Sequence, residues 1–246
     1  MTDLKKILVA AALAVLAAAS PVHAGKDDTK AVGIMLKQQY PAIPVDTVSK
    51  TDIEGLFEVA SGTNIFYYHL KTNSIVTGEI IRGGRSITAQ RRGEIMSRLL
   101  KDVPLAKAVK IGSGKNVVIE FSDPDCPYCR QVDGFFAKRN DLTLYVFLLP
   151  LPMHPDAPKK SLKVLCSADP VSAYREAMGG KYDTPFTLPS GCEAKAGSLL
   201  QEHITWGQRL GVQGTPAIWV NGTWVEGGAN VQALETLLAK GPAKGK

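Results

Sequence analysis

Apolar positions change their period along this chain. Residues 28–39 place Ala31, Ile34 and Met35 at helical spacing, and Tyr40-Pro41 closes the pattern, because a residue before proline is pushed out of helix. From 45 to 81 the apolar residues come in short runs, among them Leu56-Phe57, Val59, Ile65, Tyr67, Ile75-Val76 and Ile80-Ile81. Gly55, Ser61-Gly62, Asn64, Asn73 and Gly78 punctuate them, which predicts a small antiparallel sheet of hairpins. Residues 89–108 return to a helical period, with Ile95, Leu99 and Leu100 on one face and Arg91, Arg92, Glu94, Arg98 and Lys101 mostly opposite. Pro104 ends or kinks this helix, and the shift in character makes it an interdomain linker, followed by a loop at 111–115.

From Asn116 the pattern is β-α-β with added helices. Residues 117–121 read as a buried strand, 126–139 as a helix with Val132, Phe135 and Phe136 facing in, and 142–149 as a second strand covered on both faces. Further helices follow at 156–179, broken near Asp169-Pro170, and at 195–210. Residues 217–220 and 223–225 form a hairpin about Asn221-Gly222, and a helix at 229–239 closes the chain before a loose tail from Gly241.

Composition narrows the class. With 45% hydrophobic and 21% charged residues, the 246-residue chain is too apolar for a disordered one and long enough for one or two cores. The net charge of +6 is mild and scattered, Arg82, Arg85, Arg91 and Arg92 being the densest group, which gives nucleic acid no footing as a partner. Lys5-Lys6, the apolar run Ile7 to Ala19, the break at Ser20-Pro21 and small residues Val22 and Ala24 have the layout of a cleaved secretory signal peptide, residues 1–24. The run is short for a bilayer. This predicts export to a bacterial periplasm, an oxidising compartment in which four cysteines matter. A hairpin region of about 60 residues is a thin core, of the kind that gains stability by pairing with a copy of itself.

The chemistry centres on Cys126-Pro127-Tyr128-Cys129, placed directly after a strand and at the start of a helix. Positions i and i+3 of a helix lie one turn apart, within reach of a disulfide. Cys126 falls at the helix N-terminus, where free N–H groups and the dipole favour a thiolate, so it is the expected nucleophile, and Cys129 the resolving thiol. Asp123 and Asp125 oppose this, and the sequence leaves open which effect wins. Half of a zinc site is the competing reading. It lacks a second close ligand pair, since Cys166 and Cys192 stand far apart and His154 and His203 form no pair with them, so neither metal nor cofactor is expected. Cys166 and Cys192 fit a structural disulfide closing about 27 residues, worth roughly 3.5 kcal/mol on the chain-entropy model. The alternative, a second redox pair, has no visible means of activation. Thr215-Pro216, at the start of the strand at 217, is either an ordinary edge proline or a cis peptide presenting the Thr215 backbone to a substrate strand.

Taken together, Phe121 to Cys129, Cys166, Cys192, His203 and the run Leu210 to Ala217, with Asn221-Gly222-Thr223 and the last helix, resemble the DsbC/DsbG family of periplasmic disulfide isomerases, which has a thioredoxin-like fold. The resemblance covers nearly all of the chain after residue 24. It implies an α+β N-terminal dimerisation domain at 25–88 with a small antiparallel sheet, a linker helix and loop at 89–111, and a C-terminal α/β thioredoxin-like domain at 112–246 with a helical insertion. It further implies a homodimer joined through the N-terminal domains, attack by Cys126, resolution by Cys129, a cis Pro216 and a Cys166–Cys192 structural disulfide. Thr215 and Pro216 are expected where substrate is held, with Tyr128 either a further substrate contact or merely exposed. The implied partners are misfolded disulfide-containing exported proteins and a DsbD-like membrane thiol reductant that keeps Cys126 reduced. The Pro-Tyr dipeptide resembles DsbG-like members, where the DsbC type usually has Gly-Tyr. The primary expectation is therefore an isomerase/reductase. The alternative is a DsbG-like reductase of sulfenylated or single cysteines, with holdase chaperone activity. His69, His154 and His203 read as structural or loop residues, the three tryptophans as core or rim aromatics, and the arginine cluster as a solvated face.

Overall fold

A computed structural model describes residues 26–242. The signal peptide expected at 1–24 lies outside the described residues. Helix α1 (Lys26–Gln39) is followed by β1 (Thr47–Lys50), β2 (Leu56–Ser61), β3 (Asn64–His69) and β4 (Ser74–Val76), an antiparallel sheet in chain order. The pleat divides its side chains. Phe57 and Val59 of β2 stand opposite Tyr68 and Phe66 of β3, and this face buries Val32 and Leu36 of α1. A short hairpin, β5 (Ile81–Arg82) and β6 (Arg85–Ser86), leads into α2 (Ile87–Leu99), which Ser86 caps by accepting the Ala89 N–H at 2.8 Å. The start of α2 faces the other side of the sheet. Thr88 hydrogen-bonds Tyr67, and Arg91 pairs with Glu58 at 3.2 Å.

The second sheet has the order β11-β10-β8-β9-β7. Here β7 is Val109–Ile111, β8 Asn116–Ser122, β9 Leu142–Leu148, β10 Ala217–Val220 and β11 Thr223–Trp224; only β8 and β9 pair in parallel. Helix α3 (Pro127–Phe136) joins β8 to β9. Helices α4 (Ala157–Cys166), α5 (Pro170–Met178) and α6 (Cys192–Arg209) are inserted before β10, and α7 (Val231–Lys240) ends the described chain. One face buries Val118, Leu144, Val146 and Ile218 against α3, α5 and α7; the other buries Ile119, Phe121, Phe147 and Trp219. Cys166 and Cys192 form a disulfide tying the end of α4 to the start of α6.

Several expected bounds shift. The helix expected over 89–108 stops at Leu99 and continues as 3-10 turns around Pro104. Residues 109–111, assigned to the linker, form the edge strand β7, because Val109 and Ile111 turn inward on either side of exposed Lys110. A strand of three residues, following the 3-10 turn at 105–107, is too short to show a period. Helix α6 begins at Cys192 rather than 195. The arginine cluster is less bare than expected: Arg82 pairs with Asp52, Arg91 with Glu58 and Glu94, and Arg92 with Glu79.

Helix α2 is more than a tether. Met96, in its last turn, and Leu100, just beyond its end, are buried in the same core as Phe121, Phe147 and Trp219. Gly93 lies against Trp224 of β11, where a Cβ would stand 2.8 Å from the indole Cδ1. The β2–β3 turn reaches across as well. Gly211, at φ +68°, ends α6 in the left-handed conformation and leaves room for Thr63, whose hydroxyl a Cβ would meet at 1.8 Å. The N-terminal half is thus seated beside the segment leading into Thr215. Gly93→Val is expected to lift α2 off Trp224 and lower stability by about 1–3 kcal/mol, as overpacking does. Thermal melting and protease cleavage within 100–108 measure this; an unchanged melt with unchanged cleavage contradicts the seating.

Candidate functional site

Strand β8 delivers its last residues to the mouth of the second sheet, and the turn Asp123–Asp125 feeds α3. Cys126 is the N-cap in extended conformation, with Pro127 in the first helical turn, where a missing N–H costs nothing. The Cys126 N–H donates to the Asp123 carbonyl at 3.1 Å, and its own carbonyl accepts the first helical bond from Arg130 at 3.1 Å. Cys126 and Cys129 are free thiols; Cys126 is 4% exposed and Cys129 fully buried.

The Thr215–Pro216 peptide is cis. In the neutral state the Cys126 thiol donates to the Thr215 carbonyl at 3.3 Å, while the Cys129 sulfur accepts the Asp123 N–H at 3.4 Å. Tyr128 projects into solvent, 61% exposed, and a cleft runs from it past Gln131, Thr215 and Pro216 to Ala229 and Asn230. The structure therefore gathers Cys126, Cys129, Tyr128, Thr215 and Pro216. It sets Cys166 and Cys192 apart in a small apolar cluster with Ala196, the bonded pair of the insertion.

The electrostatics favour ionisation of Cys126. Its pKa is drawn down to about 5, chiefly by a hydrogen bond from the Cys129 thiol, with help from the N–H of Cys129, the Thr215 side chain and the N–H of Tyr128, against the cost of burial. Burial pushes Cys129 the other way, above the usual thiol range. The opposition expected from Asp123 and Asp125 is met by partners. Asp123 Oδ1 accepts the Asp125 N–H at 2.8 Å, and Oδ2 accepts the Leu151 N–H at 2.7 Å and lies 2.9 Å from His154 Nδ1. Asp125 pairs with Lys160 and Arg130. His154, read as a loop residue, thus belongs to the site's surroundings; Asp123 raises its pKa. His203 is structural. It is fully buried, accepts the Leu148 N–H at Nδ1 (2.9 Å) and donates from Nε2 to the Lys107 carbonyl (2.9 Å), and burial keeps it neutral.

One residue was missed at the level of sequence. Glu120 alternates with Val118 and Ser122 on the face of β8 covered by α3, the side where Cys129 is buried. It is wholly inaccessible. Neither carboxyl oxygen makes a hydrogen bond, and the nearby Ser122 hydroxyl is 3.3 Å from Tyr174. Burial pushes its pKa up to about 8, and its charge raises that of Cys129 in turn. A glutamate inside an otherwise apolar strand, six residues before the first cysteine, was the available signal.

A poised thiolate, a buried second thiol one turn on and an open cleft equip this site for thiol–disulfide exchange. Comparison with known proteins agrees. Residues 103–242 match the model of a thioredoxin-like domain, and residues 20–89 that of the disulfide bond isomerase protein N-terminal domain. A probable thiol:disulfide interchange protein DsbC of Bordetella pertussis is 30% identical over 206 residues, spanning 82% of this chain and 71% of the relative. The thiol:disulfide interchange protein DsbC of Escherichia coli K12 is 25% identical over 185 residues, 73% of this chain and 75% of its own. The crystal structure of a disulfide interchange protein from Neisseria gonorrhoeae, 31% identical, covers 58% of this chain and all of its own with a TM-score of 0.49. Both halves matching in their expected order, this chain belongs to the DsbC family of thiol:disulfide interchange proteins and is a thiol–disulfide oxidoreductase.

Proposed function

We propose that this chain is a periplasmic disulfide isomerase/reductase that rearranges incorrect disulfides in exported proteins, working as a homodimer joined through its N-terminal region. The observation that carries the reading is the division of labour between the two thiols: Cys126 ionised at the cleft, Cys129 held neutral beneath it.

The Cys126 thiolate attacks one sulfur of a substrate disulfide. A Cys126–substrate bond forms, the substrate's own bond breaks, and its other sulfur leaves as a thiolate. The extended segment around the attacked sulfur lies along Tyr128, Thr215 and Pro216. If the freed thiolate, or another substrate thiolate, attacks the mixed disulfide, Cys126 departs as a thiolate and no electrons have been transferred. If the substrate stalls, Cys129 gives up its proton, for which the ionised fraction of the buried Glu120 carboxyl, on the same side of β8, is an acceptor, and attacks Cys126. The substrate then leaves with two electrons, and the site is left as a Cys126–Cys129 disulfide. A dithiol donor, in the periplasm a DsbD-like membrane reductant, restores it.

Refolding of a scrambled multi-disulfide protein in glutathione buffer, with sedimentation of the mature chain, tests the proposal. The expected result is catalysed recovery of native pairings by a dimer. Reduction of sulfenylated or single cysteines with no recovery of scrambled substrate would transfer the assignment to the reductase and holdase alternative.

A further inference from the structure

The chain around Cys126 is bracketed by two charges of opposite sign, and both belong to one ring of ion pairs. Asp125 precedes Cys126, and Arg130 follows Cys129 by one residue. Lys160 of α4 is 3% exposed, an unusual place for an ammonium group unless it is paired. It pairs with Asp125 and, at 2.5 Å, with Asp183 in the turn after α5. Arg130 donates to both carboxylate oxygens of Asp183, at 2.7 Å each, to Asp125 at 3.4 Å, and from Nε to the Pro124 carbonyl at 2.8 Å. Two carboxylates and two cations close into a neutral network whose members come from the turn before Cys126, from α3, and from the helical insertion.

We propose that Lys160 is a positioning residue for the exchange reaction: by neutralising Asp125 it keeps a negative charge from opposing the Cys126 thiolate, and so sets how readily Cys126 attacks and leaves. This rests on Cys126 being the attacking thiolate. The other ionisable neighbours are already engaged or neutral. Asp123 is held by His154 and two backbone N–H groups, burial leaves Glu120 mostly protonated at neutral pH, and Asp133 is paired with Arg175. Asp125 is therefore the carboxylate beside Cys126 that is balanced by the network's two cations, Lys160 from the insertion and Arg130 from α3. The insertion thereby acts on the thiol without touching it. A purely structural staple would use the same contacts, and the sign of the response separates the two roles.

The test is a pH titration of ultraviolet thiolate absorbance on the reduced mature chain, with the glutathione equilibrium as a second readout. Lys160→Met leaves the network with one surplus negative charge and is expected to raise the Cys126 pKa by about one unit. Asp125→Asn leaves a surplus positive charge and is expected to lower it. Loosening of a staple would move both variants the same way. Shifts of the same sign, or no shift in either, overturn the inference, and because Asp125→Asn removes no buried cation it keeps the test decisive if Lys160→Met fails to fold. A wild-type pKa at the ordinary thiol value would instead overturn the reading of Cys126 itself, so the two failures are distinct.

Discussion

Cys126→Ala is expected to abolish disulfide rearrangement down to the glutathione background, whereas Cys129→Ala keeps roughly a tenth or more of it and accumulates mixed disulfides with substrate. The reason lies in which step a low pKa helps. At pH 7 an ordinary thiol with a pKa of about 8.5 is only about 3% ionised, so a pKa near 5 raises the thiolate fraction about 30-fold. Intrinsic nucleophilicity falls with pKa at a Brønsted slope of about 0.4–0.5, a loss of about 25- to 55-fold over that interval. The two nearly cancel, so the attack gains little. Departure gains, because a low-pKa sulfur is the better leaving group when a substrate thiolate attacks the mixed disulfide. Buried Cys129, with its pKa raised, has the opposite character: it attacks slowly and leaves shuffling time to succeed. Non-reducing electrophoresis and refolding rates of the two variants decide the matter. Equal loss in both would mean that every turnover passes through net reduction, and would sink the isomerase mechanism.

Much of this was legible in the residues, for identifiable reasons. The change from hairpins to helix to β-α-β follows from periods of 2 and 3.6, which the sheet pairs and the helices α2, α3 and α7 obey. The spacing of Cys126 and Cys129 after an apolar strand is a local signal, as is Thr215-Pro216 before another. What stayed hidden was set by contacts distant in sequence. Lys160 reads as one of many surface lysines until folding places it between Asp125 and Asp183. His154 reads as a loop residue until Asp123 is found 2.9 Å away. The second half of α2 reads as a tether because its burial depends on Trp224 and Gly93 meeting, an arrangement no helical period encodes. Edge strand β7 was too short to carry a pattern at all.

Glu120→Gln is expected to stabilise the protein, and the amount should grow with pH. The folded carboxyl titrates near 8 against about 4.5 when unfolded, so between those values the folded state holds a proton the unfolded chain has released. Stability associated with this group is whole below about pH 4.5 and is lost as pH rises through 8. The variant has nothing to lose, which gives it an advantage on the order of 3 kcal/mol at pH 7 and up to about 5 kcal/mol above pH 9, from about 1.4 kcal/mol per pKa unit. Urea denaturation of both forms across pH 5–9 measures it, and parallel stability curves would show that Glu120 is not the buried acid described above. The gain in stability should carry a cost in chemistry. Without an ionisable carboxyl on the Cys129 side of β8, resolution of the mixed disulfide is expected to slow by about 10²-fold at pH 9, where the wild-type carboxyl is ionised, and by less at pH 7. Attack by Cys126 needs no such acceptor, because it is already ionised, so mixed disulfides should accumulate in Glu120→Gln much as they do in Cys129→Ala. A carboxyl kept in the core at this expense, with neither oxygen hydrogen-bonded, is what the proposed proton transfer at Cys129 would require.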